Sequence, residues 1–365
     1  MSQPSENTSP EAKIVLEHLQ SQSNLLRSSS FSTPTLPISI DQALSNVEQF
    51  KGKVVVITGA AGIGFGAHYS KKVAKYGAKV VLSDLKLEAV QEVVDEIKAA
   101  GGEATGIACN VLDWDAQVRM FRHAIDTYGK IDIVFANAGT SSETDHPLLG
   151  EETDANGEPK KPSTTTLDVN TTGVIYTVKL GFYHLSRNPA KTGKSIVILG
   201  SMASFFGIPG APLYTASKHA VLGFMRSLYH NAKAENISIS TINPFFCHTG
   251  IFGFLPLLAL SGIPLATLDD VIGAMIYAST AKDLQAAPNE EVNGSSFLVD
   301  WKGILQIPYN ATAGSSAVSL ESGTTQKGYY KIFEERASAA IYSGKVVKDI
   351  VYALKSLIWD PRKRA

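Results

Sequence analysis

Short apolar runs alternate with amphipathic segments along the middle of the chain. KVVVIT, at 53–58, precedes AHYSKKVAKYGA, and KVVLSD precedes LKLEAVQEVVDEIKAA. The alternation continues through EATGIAC, WDAQVRMFRHAIDTYG and IDIVFANAG. Continuous β-branched runs predict strands that are buried on both faces, and the longer segments have helical spacing. Strands that alternate with helices of this length predict a doubly wound α/β fold around a parallel sheet.

The chain on either side of this alternating region has a different composition. Residues 1–50 contain the Ser-rich stretch SQSNLLRSSSFSTPT and are interpreted as an N-terminal arm, with either one short amphipathic helix or a disordered tail. Residues 51–303 form the predicted α/β domain, whose last strand is SSFLVDWKG. Residues 304–365 are a C-terminal extension that is expected to be partly helical. Both extensions are expected to pack on the core or on a neighbouring subunit of a homo-oligomer.

The net charge and the two cysteines indicate which partners and which cellular compartment to expect. A formal net charge of -1 and a pI of about 6.7 give no basic surface for nucleic acid or an anionic membrane, so small molecules are the expected partners. Cys109 and Cys247 lie in or beside apolar runs, which predicts buried free thiols and a reducing, cytoplasmic location. No cluster of His, Cys and acidic residues has metal-ligand spacing.

The first predicted strand ends in a glycine-rich turn that contains Gly59, Gly62 and Gly64. A buried strand, a tight turn and a helix N-terminus form a phosphate cradle, because backbone N–H groups and the helix dipole favour an anion there. The next strand ends at Asp84. A carboxylate at that position accepts hydrogen bonds from the adenosine ribose and repels a 2′-phosphate, which favours NAD over NADP. The alternative is that Asp84 caps the following helix.

Candidate acid/base chemistry lies at the start of the segment YTASKHAVLGFMRSL. Tyr214 and Lys218 are four residues apart, so they share one side of the predicted helix. An ammonium near a phenol lowers its pKa from about 10 and makes the tyrosine a proton acceptor. Because such pairs also occur on solvated helix faces, this interpretation depends on neighbouring motifs, the first of which is Ser201.

From about Lys53 to Trp301 the chain resembles the short-chain dehydrogenases/reductases. The resemblance is carried by five motifs in order: TGAAGIG, NAG at 137–139, VN at 169–170, the set Ser201, Tyr214 and Lys218, and NP at 243–244 with Thr249 five residues after the proline. The segment from Tyr214 is most similar to NAD-dependent hydroxyprostaglandin dehydrogenases and fungal polyketide alcohol dehydrogenases. The resemblance implies a Rossmann fold and an NAD-dependent enzyme that interconverts a secondary alcohol and a ketone.

The resemblance also implies roles for individual residues. Tyr214 would accept the proton, Lys218 would lower its pKa and bind the nicotinamide ribose, and Ser201 would hydrogen-bond the substrate oxygen. Asn170 would hold a water that links Lys218 to solvent, although an asparagine in a helix can instead bond its own helix backbone. The implied cofactor contacts are Ile63 beside the phosphate turn, Asn110 and Val111 near the adenine, Asn137, Ala138 and Gly139 beneath the cofactor, and Thr249 at the nicotinamide carboxamide.

Three departures from the family pattern bear on cofactor binding. The family has three residues between the first two glycines of the turn, whereas only two separate Gly59 from Gly62, so the turn must be shortened or shifted. Asn110 replaces an aspartate, and Phe245 replaces a glycine and would place a ring near the nicotinamide. The turn and Phe245 leave open a second function, a cofactor-binding scaffold or interaction module with little or no turnover.

Two insertions at the expected ligand-binding edge of the sheet are predicted to shape the substrate site. They are residues 141–163 and the apolar stretch IFGFLPLLALSGIPLA at 251–266. The second is too short and too interrupted by proline and glycine to span a bilayer. It is interpreted as a lid over a large hydrophobic alcohol or ketone, with an oligomer contact or a membrane contact as alternatives.

Overall fold

The described residues form a nine-stranded sheet, in the order β1-β9-β8-β7-β6-β5-β2-β3-β4. The structure is a computed structural model, which describes residues 36–141, 148, 152–208, 210–247, 265–280, 292–307 and 309. The strands are β1 (Leu36–Ile38), β2 (Val54–Thr58), β3 (Lys79–Asp84), β4 (Glu103–Ala108), β5 (Ile133–Ala136), β6 (Ser195–Leu199), β7 (Ser238–Pro244), β8 (Ser296–Asp300) and β9 (Gly303–Ile307).

Helices cover both faces of the sheet. The α-helices of four or more residues in the described part of the chain are α1 (Ile40–Ala43), α2 (Phe65–Lys75), α3 (Leu87–Ala99), α4 (Trp114–Tyr128), α5 (Val174–Leu185), α6 (Pro212–Ala234) and α7 (Leu268–Ser279), and one further helical turn spans Thr165–Leu167. Within β2, Val55 and Ile57 join a core cluster with α2, α3 and α7, while Val56 joins a second cluster with α4, α5 and α6. Because neighbouring residues of one strand enter different clusters, the strand is buried on both faces, as its continuous apolar run predicts.

The seven strands from β4 to β8 across the sheet pair in parallel, which confirms the doubly wound α/β fold. From β2 the chain builds outward through β3 and β4, and it then returns to place β5 on the other side of β2. The order therefore reverses between β2 and β5. In open α/β sheets, ligands bind beyond the carboxyl ends of the strands at such a switch point.

Two strands extend the sheet beyond the boundaries at residues 51 and 303 that the sequence indicates. β9 pairs antiparallel with β8, and β1, from the N-terminal arm, pairs antiparallel with β9. SSFLVDWKG is therefore followed by a further strand. In the described part of the arm, residues 36–50, Phe50 also joins the core: it is fully buried, and its ring lies 6.5 Å from that of Tyr69. The helices predicted near residues 14–19 and 341–354 lie outside the described residues.

Both cysteines lie in the core. Cys109 and Cys247 are free and buried, as predicted, and burial raises the pKa of each thiol to about 11. Within the described ranges, no helix combines the length and apolar character needed to cross a membrane.

Candidate active site

The first two turns of α6 hold Tyr214 and Lys218 on one side of the helix, as their spacing predicts. The helix begins at Pro212, which suits a first helical position because it has no N–H to satisfy. Val221, Leu222 and Met225 are buried against the sheet and fix the rotation of the helix. Lys218 is 3% exposed, and its Nζ lies 5.6 Å from the centre of the Tyr214 ring.

Ser201 lies next to this pair at the carboxyl end of β6. Its backbone is extended, and its Oγ accepts a hydrogen bond from Ala203 N at 3.1 Å, which caps the short 3₁₀ helix Met202–Ser204. Ser201 and Tyr214 also share a side-chain hydrogen bond. The fold thus brings together three side chains that the sequence separates by up to seventeen positions.

The charge states of this cluster follow from burial. Burial raises the pKa of Tyr214, and the hydrogen bond with Ser201 lowers it by less. The sequence predicts that Lys218 lowers the pKa of Tyr214. That ammonium instead lies over the ring and donates to Leu199 O at 2.8 Å. Burial lowers the pKa of Lys218 to about 8, because the buried ammonium loses hydration.

Asn170 is fully buried in a π-helical turn, Asp168–Gly173, that leads into α5. Its Oδ1 accepts from Thr140 N at 2.8 Å, and its Nδ2 donates to Thr140 O at 2.8 Å and to Ser217 Oγ at 3.0 Å. The alternative that Asn170 bonds its own helix backbone is therefore wrong, since these partners lie after β5 and in α6. Single π-turns of this kind are frequent at functional sites.

The NAG segment at 137–139 lies directly on the glycine turn. Asn137 Nδ2 donates to Thr58 O at 2.9 Å and to Gly59 O at 2.7 Å, while Thr58 Oγ1 accepts from the backbone N–H groups of Asn137 and Ala138. Gly59 has a φ of 68°, and a Cβ there would lie 2.6 Å from Ala138 Cα. Only glycine meets both conditions. A Cβ on Gly139 would lie 3.1 Å from Asn170 Oδ1 and 3.6 Å from Lys218 Nζ, which joins this segment to the α6 cluster.

Gly66, which was not among the predicted site residues, is the glycine that lets α2 approach the turn. A Cβ on Gly66 would lie 2.5 Å from Gly59 O and 2.6 Å from Asn137 Nδ2, whereas one on Gly62 would meet no atom within 4 Å. Close helix–strand packing is the role of the third glycine in dinucleotide-binding turns. Gly64 and Gly66 are then the second and third glycines, and four residues follow Gly59 before Gly64. The turn is shifted and one residue longer, not shortened.

Asp84 faces the glycine turn rather than the helix that follows it. Its two carboxylate oxygens accept from Ala61 N at 3.1 Å and from Leu85 N at 2.7 Å. Lys86 is the N-cap residue of α3 and makes no side-chain capping bond. The helix-cap alternative for Asp84 is therefore wrong.

The other residues predicted to contact a cofactor border the same edge. Ile63 is 58% exposed within the turn, and Gly64 is the N-cap of α2 without a side-chain capping bond. Exposed Asn110 accepts from Leu112 N, and Val111 is buried beside the π-turn. Thr249 lies outside the described residues, as do 142–147, 149–151 and 251–264 of the two insertions.

Phe245 does not obstruct this edge. Its ring is 8% exposed and packs against Phe246 and Trp301, with centroids 5.2 and 5.3 Å away. The Phe245 ring, which the sequence predicts to lie near the nicotinamide, is therefore a core side chain, because it packs against Trp301.

Sequence reasoning also missed buried polar residues that connect the site. Gln117 is fully buried in α4, and its Nε2 donates to Val111 O at 2.7 Å and to Gly173 O at 3.0 Å. Ser217 bonds Asn170 and is fully buried in α6. Gln117 and Ser217 each lie beside apolar side chains on the buried face of their helix. A polar residue at such a position is the feature by which both could have been found from the sequence.

Comparison with known proteins identifies the class of protein that this fold and site define. The short chain dehydrogenase family model matches residues 53–255, and the protein belongs to that family. It is therefore an oxidoreductase of a family that typically binds NAD or NADP.

Particular relatives are similar to this chain over its central part. A 5′-hydroxyaverantin dehydrogenase of Dothistroma septosporum is 28% identical, over 64% of this chain and 82% of that protein. The 15-hydroxyprostaglandin dehydrogenase [NAD(+)] of Macaca fascicularis is 32% identical, over 55% and 70%. These two kinds of relative confirm the finer resemblance that the α6 sequence indicates. A short-chain type dehydrogenase/reductase structure from Mycobacterium marinum shares the fold, with a TM-score of 0.57 and 24% identity over 71% of this chain and 97% of that one.

Gly66→Ala is expected to lower the free energy of unfolding by roughly 1–3 kcal/mol, because the added methyl group overlaps backbone and amide atoms that have little room to move. Gly223→Ala is the matched control: Gly223 is an exposed glycine of α6 with open space around it, so alanine should stabilise the helix by up to about 1 kcal/mol. Urea unfolding measures both. Equal stability of Gly66→Ala and the wild type would contradict the assignment of Gly66.

Lys218→Met is expected to stabilise the cofactor-free protein at pH 7 by roughly 2 kcal/mol, because it removes a buried ammonium at the loss of one hydrogen bond. The unfolded chain binds this proton more tightly, so wild-type stability should rise between pH 8 and 10.5 as Lys218 deprotonates in the folded state before it does so in the unfolded state. Lys218→Met should lack that rise. Urea unfolding across this pH range tests both effects, with exposed Lys98→Met as the control. If Lys218→Met were less stable than the wild type at pH 7, the buried lysine would not destabilise the folded protein and the prediction would be wrong.

Proposed function

We propose that the protein is an NAD-dependent oxidoreductase that interconverts a secondary alcohol and a ketone on a mostly hydrophobic substrate. The observation that carries the proposal is the hydrogen bond between Ser201 and Tyr214 beside the buried Lys218 ammonium. This arrangement provides a proton acceptor, a hydroxyl beside the reacting oxygen and a positive charge in one turn of α6 and the adjacent loop. General acid/base catalysis requires this proximity more than any other feature.

In the proposed mechanism, Tyr214 takes the hydroxyl proton of the alcohol as the carbonyl forms, and it returns that proton when a ketone is reduced. Ser201 donates a hydrogen bond to the substrate oxygen, on which negative charge develops. The raised pKa of Tyr214 keeps its phenol protonated, as ketone reduction needs. For alcohol oxidation, the Lys218 ammonium must favour the phenolate. Alcohol oxidation should therefore accelerate as the pH rises towards the Lys218 pKa of about 8 and gain nothing above it, where the ammonium loses its charge, and ketone reduction should slow as the Tyr214 phenol loses its proton.

The residues at the switch point fit a dinucleotide. The N-terminus of α2 has no side-chain cap, so its N–H groups can bind a pyrophosphate, and the Gly59 to Gly64 turn leaves open space at Gly62. Asp84 would bind the adenosine ribose, with Asn110 and Val111 near the adenine. Asn137, Ala138 and Gly139 would lie beneath the cofactor and Thr249 beside its carboxamide.

When bound, the nicotinamide supplies the hydride acceptor or donor. Lys218 would hold the ribose next to it, and Asn170 would hold a water beside Lys218.

Two features support the choice of cofactor and substrate. Asp84 directs a carboxylate at the edge where the 2′ position of the ribose is expected, and a relative is named for NAD(+). The loop between Ser201 and Tyr214 carries Phe205, Phe206 and Ile208, which are half-buried and pack on the core. They favour an apolar substrate, as does the apolar 251–266 insertion.

The scaffold alternative loses both of its supports. The glycine turn is lengthened rather than shortened, and Phe245 belongs to the core. We therefore favour turnover over a purely structural role.

We further propose a homo-oligomer in a reducing, cytoplasmic compartment. Trp114, Ile175 and Tyr183 on α4 and α5 are 38–47% exposed, and such side chains favour self-association. The two free cysteines support the compartment.

Tyr214→Phe is expected to reduce kcat at least ~10²-fold, because it removes the proton acceptor while it preserves the ring. The dissociation constant for NAD should change little. Tyr183→Phe, which alters an exposed tyrosine of α5, is the matched control and should keep full activity. Steady-state kinetics and NAD titration test this. Full activity of Tyr214→Phe would refute the assigned role.

NAD should be preferred over NADP by at least ~10² in kcat/KM, because Asp84 repels the 2′-phosphate. Asp84→Asn retains an acceptor for Ala61 N but removes the charge, so it should reduce this preference with only a modest loss of NAD activity. Asp84→Ala should also impair NAD activity, because it removes the bond to the turn. A wild-type protein that uses NADPH better would contradict the role of Asp84.

A further inference from the structure

Ser217 occupies a buried position between Tyr214 and Lys218 on α6. Its side chain is 0% exposed. Its Oγ donates to Tyr214 O at 2.7 Å and accepts from Asn170 Nδ2 at 3.0 Å. One hydroxyl therefore connects the turn that carries Tyr214 with the side chain of Asn170.

The bond to Asn170 distinguishes Ser217 from an ordinary helical serine. Ser227, in the same helix, makes the same kind of backbone bond, from its Oγ to Phe224 O at 2.8 Å, but it is exposed. Serine bonds to a preceding carbonyl are common in helices and have no specific function. The buried bond across to the π-turn is what needs an explanation.

Ser217 completes the hydrogen bonding of the Asn170 amide. Thr140 N donates to Asn170 Oδ1, and Thr140 O accepts one of the two Nδ2 protons. Ser217 Oγ accepts the other Nδ2 proton. A fully satisfied, buried amide has a single position, because any rotation would leave a buried donor unpaired. This position matters at Gly139, because a Cβ on that glycine would lie 3.1 Å from Asn170 Oδ1 and 3.6 Å from Lys218 Nζ.

We propose that Ser217 is a positioning residue: its hydroxyl holds Asn170 against α6 and so sets the spacing between the Asn170 amide and the Lys218 ammonium. The contact also ties the loop after β5 to α6 through Thr140. A displacement of about 1 Å at a reacting centre can cost ~10²-fold in rate. Because its effect is on turnover, this inference rests on the proposed function.

The test is Ser217→Ala, with Ser217→Cys as a variant that fills the site with a slightly larger side chain but forms weaker hydrogen bonds, and Ser227→Ala as the matched control. We expect Ser217→Ala to lower kcat about 10- to 100-fold and the KM for NAD to change less than about twofold. Ser217→Cys should lose most of the same activity, and Ser227→Ala should match the wild type. Circular dichroism establishes the folded fraction, so kcat is expressed per folded enzyme.

A double-mutant cycle with Asn170→Ala separates positioning from an independent structural effect. If Ser217 acts through Asn170, Ser217→Ala in the Asn170→Ala background should lower kcat by less than about threefold further. Losses that multiply, or a Ser217→Ala enzyme within about threefold of Ser227→Ala, would overturn the inference and leave the proposed function intact. Full activity of Tyr214→Phe in the same assay would overturn the proposed function, and the positioning role with it.

Discussion

The Asn137 side chain joins the two strands between which the strand order reverses. Its Nδ2 bonds Thr58 O and Gly59 O at the end of β2, while Thr58 Oγ1 receives the backbone N–H groups at the end of β5. A switch point opens because the chain leaves two neighbouring strands in opposite directions, and exposed backbone groups at such a point need partners. This one amide and one hydroxyl supply them. The glycine turn, the approach of α2 at Gly66 and the position of Gly139 all depend on this contact.

A second constraint is the burial of charge and amide groups around α6. Lys218 and Asn170 are both removed from solvent, and each is held by partners from other elements: Leu199 O for the ammonium, and Thr140 and Ser217 for the amide. Buried polar groups destabilise a fold unless they are paired, so such a cluster is kept where it serves a function. The site is consequently built from α6, the end of β6, the loop after β5 and the π-turn, rather than from one segment.

The sequence alone predicts the central fold, and it points to the main side chains of the candidate site. The β-branched runs indicate β2, β3 and β5 because strands buried on both faces need continuous apolar residues, and the spacing of Tyr214 and Lys218 follows from helix geometry. The sequence does not show which glycine lets α2 pack against the turn. Gly62, Gly64 and Gly66 are the same residue type, and only their surroundings in the fold differ. Nor does it show that Phe245 turns inward, since this depends on Trp301, a residue distant in the chain. β1 was missed because LPI is short and its partner strand is far away in sequence.

The pairing of β1 with β9 has a consequence for the order in which the chain can fold. Leu36–Ile38 is synthesised before its partner strand, which ends at Ile307, so some 270 further residues must be synthesised before the pair can form. Until then the first strand has no neighbour in the sheet, and β8 also waits for β9 on its open side. Contacts between residues so distant in sequence form slowly. Among the described strands, this edge of the sheet is therefore the last to pair, and until it does so β8 presents an open edge with which other chains can pair.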